Sequence, residues 1–509
     1  MYSTFHGLET ARRALSAQQA ALYTTGNNIS NVNTEGYSRQ RVNLTQSEPF
    51  PSPGLNAPRV PGQIGTGVSA DFVQRIRENY LDIQYRGETA QTGYWETRHD
   101  VYTRIEDLMN EPSENGIART MDKFWQSLQV LAVHPEDSGA RSVVRQRGIA
   151  LAKTITYISD SLQANKKELG EQINTTEKQV NSLLEQINNI NQQISRVEPH
   201  GFMPNKLYDE RDLLIDELSG MMNIEVERNE SKGQARSAAE GTVSIYLLDE
   251  SGNRLTYKDD SEIKLVNGED RTFSTITIER NEDKAVTNVS IDDKEADILS
   301  SPGKVKALIE AFGYEAEKQV EGTYPDLMNK LDEMVSTFTK AFNEQHEEGY
   351  GLNGETGVPF FDGDKAGNMK VSDAIMDNLD HIAAASPIQG EDTDPESFAG
   401  DGSNALALSN VKDAKLEFGE STTNVQSFYQ GIIGEMAVDT SEAGQMKANS
   451  LNLQESIDHR RKQVSSVSLD EELTNVIQFQ HAYNAAARNI TMIDEMLDRI
   501  INNMGVVGR

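Results

Sequence analysis

At 509 residues the chain is too long for one ordinary core, and about three or four domains are expected. It carries 48 basic against 80 acidic residues, a net charge of -32, which argues against nucleic acid and anionic lipid as partners. With no cysteine, disulfides, thiolate metal sites and cysteine nucleophiles are excluded.

No run of about twenty apolar residues is present, so membrane insertion is not expected. The first residues lack a basic segment followed by an apolar core, the pattern of a cleavable secretory signal.

Residues 3–32 read as an amphipathic helix rich in Ala and Gln. Stepping by seven gives Met1, Leu8, Leu15, Leu22 and Ile29. Such a heptad series marks a helix that lies along a partner. The stretch from Gly26 to Arg41 is dense in Asn and Gly, residues that end helices through short side-chain bonds and left-handed backbone. On composition it is a helix exit.

Pro49, Pro51, Pro53, Pro58 and Pro61 make residues 49–67 a loop. Gly65-Thr-Gly67-Val-Ser-Ala70 imitates a dinucleotide fingerprint. No buried strand precedes it and a strand-like segment follows, so no cofactor is expected there.

Residues 80–220 are dominantly helical, interrupted at Glu111-Pro112 and at His134-Pro135. From Ile155 to Val197 the apolar positions alternate steps of three and four, predicting a rod of roughly 65 Å. Its candidate partners are a series from Leu327 to Ala341 and residues 424–465.

The texture then changes. Ile224–Val226, Thr242–Leu247, Glu262–Val266 and Thr275–Ile278 alternate apolar and polar residues between turns such as Ser251-Gly252 and Asn267-Gly268, predicting a small antiparallel β domain over 221–302. Helix returns from Pro302 to about His346. Residues 347–420 are mixed and loop-rich. C-terminal helices begin near Ser421, with a break expected at Glu442-Ala-Gly444.

The last helix, Val467–Met504, repeats the heptad of the first. Leu469, Val476, Tyr483, Ile490, Leu497 and Met504 stand seven apart, with Phe479, Ala486, Ile493 and Ile500 between them. Matching periodicity at both ends predicts that the termini pair and that the middle is an excursion from the pair.

The expected fold class is therefore mainly α with an inserted β domain. A terminal coiled-coil domain takes 1–45 and 466–509. A helical rod or bundle takes 46–220, 303–346 and 421–465, the β domain 221–302, and an outer mixed region 347–420.

Catalytic and metal-binding constellations are not found. His6, His99, His134, His200, His346, His381, His459 and His481 are scattered, without a zinc-type helix pair. His346-Glu347 lacks the second His, because Tyr350 stands there. Asp362-Gly-Asp364 begins like a calcium loop, but Ala366 and Asp373 occupy positions five and twelve, so a solvated turn is expected. No enzyme, metal or cofactor is expected.

Asn27-Asn28-Ile29-Ser30-Asn31-Val32-Asn33-Thr34-Glu35-Gly36-Tyr37 resembles the N-terminal signature of the bacterial flagellar rod, hook and hook-associated axial proteins. The Ser38-Arg39-Gln40 ending is closer to the hook-associated branch. Similar segments follow at Gly67–Asp82, at Phe342–Phe361, and at Val467–Leu473 with Gln478–Arg488. Ser30 stands where the family usually has Ala.

The resemblance implies a structural role in motility as a junction layer between hook and filament, outside the cell, reached by type III export without a cleavable signal. Implied partners are identical subunits, the hook protein, a second hook-associated junction protein, and an export chaperone at the C-terminal helix. Candidate subunit-packing residues are Met1, Leu8, Leu15, Leu22, Ile29, Leu469, Val476, Tyr483, Ile490 and Leu497. Asn27, Asn28, Asn31, Asn33, Thr34, Gly36 and Tyr37 form the candidate signature turn. A rod or hook component, or a secreted hydrolase carried on helical ends, are the alternative readings.

Overall fold

The computed structural model describes residues 4–50, 63–109, 111, 113, 116–281, 284–316, 319–386, 399–419 and 421–503. Met1, Met504, most of the proline-rich loop and the acidic loop at 391–396 lie outside them.

In chain order the elements are α1 (Thr4–Ser30), β1 (Gln40–Gln46), β2 (Val68–Arg75), α2 (Asn79–Met109), α3 (Ile117–Val133), α4 (Ser138–Val197) and α5 (Asn205–Met221). Next come β3 (Ile224–Asn229), β4 (Thr242–Leu247), β5 (Lys264–Asn267), β6 (Thr272–Phe273), β7 (Ile276–Asn281), β8 (Ala285–Ile291) and β9 (Lys294–Glu295). Then follow α6 (Lys304–Phe312), β10 (Tyr314–Ala316), β11 (Gln319–Glu321), α7 (Thr323–Glu348), β12 (Phe361–Asp362), β13 (Lys370–Val371), α8 (Asp373–Asp377) and α9 (Ser403–Asn410). The chain ends with β14 (Leu416–Phe418), β15 (Ser421–Thr423), α10 (Val425–Ser465) and α11 (Leu469–Asn503). Among the described residues no helix is long and apolar enough to cross a membrane.

Two compact units result. The first holds Met1–Ala90, Val180–Thr275 and Leu451–Arg509; the second holds Gln91–Gln179 and Ile276–Ser450.

In the first unit α1 packs along α11 and against the antiparallel ribbon β1–β2. A core of Ile190, Ile194 and Tyr208, with Met203, Leu207 and Leu214 against it, joins the end of α4 to α5. The antiparallel sheet β3-β4-β5-β6 lies beside that helix end. Asn191, fully buried, splices them: its Nδ2 donates to the Val243 carbonyl at 2.9 Å, and its Oδ1 accepts from Val243 N–H at 3.1 Å. A polar residue in an apolar helix series survives there because both of its groups are satisfied.

The second unit is organised on an aromatic cluster. Phe124 and Trp125 of α3 meet Phe338 and Phe342 of α7, and Phe360 and Phe361, with ring centroids 4.8–6.1 Å apart. His346, one helical turn after Phe342, is buried against Phe360. Its ring Nδ1 lies 2.7 Å from the Val358 carbonyl, and its Nε2 accepts from Ala383 N–H at 3.0 Å, an arrangement that fits the neutral ring.

Three expectations change. The strands over 221–302, expected to make one small antiparallel β domain, fall into two sheets, one in each compact unit. β7 begins a separate five-stranded sheet, β11-β10-β8-β7 with β9 on β8, in which β10 runs parallel to β8. Alternation reports which face is buried, and it is silent on which strand is the neighbour.

The rod starts earlier than Ile155: α4 has 60 residues and is about 90 Å long. Nor does a break occur at Gly444, since α10 runs unbroken for 41 residues. A Cβ on Gly444 would sit 3.4 Å from the His99 ring of α2, so that glycine serves close helix packing instead of a turn.

Candidate assembly interface at the paired ends

The first and last helices run antiparallel. A Cβ on Gly7 would lie 3.2 Å from Ile493 Cδ1, while Ala21 and Thr25 share a cleft with Glu472, Asn475 and Phe479. On α11 the heptad residues Val476, Tyr483, Ile490 and Leu497 are half-buried, as are Phe479 and Ile493, and Ala486 is buried. Leu469, at the helix start, is exposed.

On α1 the most buried residues are small or polar: Ala11, Ala17, Ala21, Thr25 and Asn28. Leu8, Leu15, Leu22 and Ile29 are only half-buried. The leucine series lies one residue, about 100°, around the helix from Ala14, Ala21 and Asn28. Small residues at the seam let two helices approach closely. The leucines therefore stand beside the seam rather than filling it.

Two further apolar pairs flank α11. In the heptad of Val476 and Phe479, Leu473 and Ile477 take the e and b positions on one side. Met492 and Met496 take c and g on the other. All four are large and exposed. The helix that fills its own seam thus keeps apolar surface on both flanks.

The signature turn is an internal device. Asn28 Nδ2 donates to the Gln40 carbonyl at 2.8 Å, and Asn28 Oδ1 accepts from Gln40 N–H at 3.0 Å and from the Tyr37 hydroxyl at 2.8 Å. Asn27 Nδ2 donates to the Tyr37 oxygen at 3.2 Å. Burial, with Asp209 and Glu472 nearby, pushes the Tyr37 phenol up to about 12, which keeps the proton it donates.

Asn31 returns Nδ2 to the Asn27 carbonyl at 2.9 Å and closes the helix end, and its Oδ1 takes the Thr34 hydroxyl at 3.2 Å. Gly36 adopts φ +74° beside Leu213 of α5. Asn33 and Thr34 are exposed.

Arg39 then ties the turn to the other end of the chain. Its N–H donates to the Ser465 carbonyl at 2.8 Å, and its guanidinium pairs with Glu471 at 2.6 Å and buried Glu472 at 2.8 Å.

Behind the turn lies an ion network with no counterpart in the sequence reading. Arg75 at the end of β2 pairs with Asp209, Asp212 and Glu240 at 2.8, 2.9 and 2.6 Å. Arg77 bridges Asp82 and Asp212, and Arg86 reaches Asp212 and Asp216. Arg461 near the end of α10 closes the set on Asp82 and Asp216.

Burial opposes the charge on Asp212, but Arg77, Arg75 and Arg86 outweigh it and hold the carboxyl well below its ordinary range. Burial likewise works against Arg75, and Asp212, Glu240 and Asp209 raise it nonetheless. The spacing of Asp209, Asp212 and Asp216, three and four apart on α5, was the available signal: one acidic stripe on a helix that also carries a core face.

Asp362 and Asp364 lie where the calcium-like pattern began. Lys370 approaches Asp362 at 3.8 Å, and Asn368 donates to Asp364 at 3.1 Å, the contacts of a hairpin turn.

A family model described as the flagellar hook-associated protein FlgK helical domain matches residues 102–361. Models for the flagella basal body rod protein and for the flagellar basal body rod FlgEFG protein C-terminal match residues 8–37 and 463–504. Those two segments are the seam helices and the turn just described.

Flagellar hook-associated protein 1 of Bacillus subtilis is 44% identical over 522 aligned positions, covering 100% of both chains. Its Salmonella typhimurium counterpart is 24% identical, covering 97% of this chain and 98% of its own. The solved flagellar hook junction protein FlgK from Burkholderia pseudomallei shares the fold, with a TM-score of 0.58 at 15% identity over 76% of this chain and 100% of that one. Alike from end to end, and matched at both seam helices and through the helical interior, this chain belongs to the flagellar hook-associated protein 1 family.

Proposed function

We propose that this chain forms the junction layer between hook and filament by packing its terminal helices, α1 (Thr4–Ser30) and α11 (Leu469–Asn503), against those of identical neighbours. Family membership makes it a structural component of the flagellar axis that assembles with other axial proteins. One observation carries the finer reading. α11 fills its seam with α1 and yet keeps Leu473 and Ile477 exposed on one flank and Met492 and Met496 on the other. A lateral neighbour on each side would cover them, together with the half-buried Leu8, Leu15, Leu22 and Ile29 of α1.

Hook protein would meet one face of the layer, and a second hook-associated junction protein the other. The chain would work outside the cell after export without a cleaved signal, and a chaperone would shield the C-terminal helix beforehand. The role asks for no catalysis.

Electron microscopy of cells lacking the gene tests the role. Hooks without filaments, with flagellin lost to the medium, are expected. Hooks missing altogether would point instead to a rod or hook component, and normal filaments would end the proposal. Restoring the gene with Leu473→Ser and Ile477→Ser tests the surface: the monomer should fold normally while filaments stay absent.

A further inference from the structure

Without cysteine, the sulfur chemistry of this chain rests entirely on its methionines. Among the described residues four of them are exposed: Met376 at 44%, Met446 at 36%, Met492 at 51% and Met496 at 46%. Met492 and Met496 stand one turn apart on α11, on the same flank of the seam. A thioether is soft and polarizable, suited to an adaptable contact, and it is also oxidised readily where solvent reaches it.

We propose that Met492 and Met496 form a peroxide-sensitive modification site that decides whether the free subunit can enter the junction. The reaction needs only hydrogen peroxide. A sulfur lone pair attacks one peroxide oxygen, the O–O bond breaks, and a sulfoxide and water result; sulfur is oxidised and peroxide reduced.

The product converts an apolar flank into two strong acceptors. A neighbouring subunit that covers them must then bury polar groups, which is unfavourable unless each finds a donor. The half-buried seam residues Ile490, Ile493 and Leu497 beside them are inert to peroxide, so the α1–α11 pair itself stays intact. The device acts before assembly, while the flank is open, and a subunit already in place would be shielded by its neighbour. The inference rests on the junction reading, which supplies the neighbour.

The purified full chain, untreated or treated with hydrogen peroxide, is added to cells that display hooks but lack this gene. Binding at hook tips is measured, and sulfoxides are mapped by peptide mass spectrometry. Untreated chain should bind. Treated chain, oxidised at Met492 and Met496, should bind roughly tenfold less per sulfoxide, with its circular dichroism unchanged.

The Met492→Leu/Met496→Leu variant should bind equally before and after peroxide. Met376→Leu/Met446→Leu should lose binding as the parent chain does. Met492→Gln/Met496→Gln should bind weakly without any oxidant. Equal binding by chain fully oxidised at both positions would overturn the inference, as would peroxide sensitivity that persists in the 492/496 Leu variant. Failure of the untreated chain to bind would count instead against the junction reading.

Discussion

Asn28 holds the backbone of Gln40 in both directions, donating to its carbonyl at 2.8 Å and accepting from its amide at 3.0 Å. The last turn of α1 is thereby locked to the first residue of β1. Asn28→Ala would orphan the Gln40 carbonyl and amide and leave the Tyr37 hydroxyl without its acceptor, at about 1–3 kcal/mol for each group that water cannot reach. The expected loss is about 3 kcal/mol in urea unfolding. Asn28→Asp should also destabilise, because it still accepts from Gln40 and Tyr37 but sets a buried carboxylate oxygen against the Gln40 carbonyl.

Asp212 is the shared anion of Arg75, Arg77 and Arg86. Asp212→Asn removes that charge and leaves three buried guanidinium groups under-compensated. Breaking a buried pair costs about 3–5 kcal/mol, and a fall of that order is expected in the urea transition of the first unit. A Glu471→Gln change, at the exposed partner of Arg39, should cost under about 1 kcal/mol.

His346 sets an acid limit on the second unit. Burial lowers its pKa from 6.5 to about 4, against the Val358 hydrogen bond that would raise it. Between those values the unfolded chain binds a proton that the folded chain refuses, so stability falls as pH falls. The slope is about 1.4 kcal/mol per pH unit, on the order of 3 kcal/mol across the window, with no contribution above about pH 7. Urea midpoints for the second unit from pH 7 to 4 should show it, and His346→Gln should flatten the curve.

Gly148 of α4 faces the aromatic cluster. A Cβ there would lie 2.8 Å from Phe360 Cε1 and 3.4 Å from Val371 Cγ2. Phe360 is fully buried among rings and cannot yield freely. Gly148→Ala should destabilise by about 1–3 kcal/mol despite its better helix propensity. A gain in thermal stability would show that the cluster is loosely packed.

The turn between β8 and β9 uses two aspartates, Asp292 and Asp293, at φ 51° and 62°. Two positive φ values in a two-residue hairpin loop favour Asn-Gly over Asp-Asp. Asp292→Asn with Asp293→Gly should stabilise the second unit by about 0.5–1 kcal/mol, read as a higher urea midpoint.

Periodicity made the helices legible, and with them the pairing of the two ends. Ile155 to Val197 and Leu327 to Ala341 announce their helices because a helix repeats its geometry every 3.6 residues. The seam of α1 was not legible. Its alanine series and its leucine series obey the same period, and hydrophobicity favours the wrong one. Met492 and Met496 likewise stand outside the heptad series and gave no sign of forming a pair on one flank. The signature turn announced itself by type, but the clamp between Asn28 and Gln40 needs the ribbon in place.

From its sequence alone, then, the chain is an acidic, cysteine-free, mostly helical protein whose ends match and whose turn residues place it among flagellar axial proteins. Those properties are local, or repeat at fixed intervals, and need no knowledge of distant neighbours. Only the tertiary structure decided which face of α1 meets α11, that strands beside one another in sequence join different sheets, and that Arg75, Asp212 and Arg461 belong to one network. The ion pairs of Arg75 with Asp212 and of Arg461 with Asp82 join residues more than a hundred positions apart, strand pairing chooses among neighbours tens of residues away, and no interval along the chain encodes either choice.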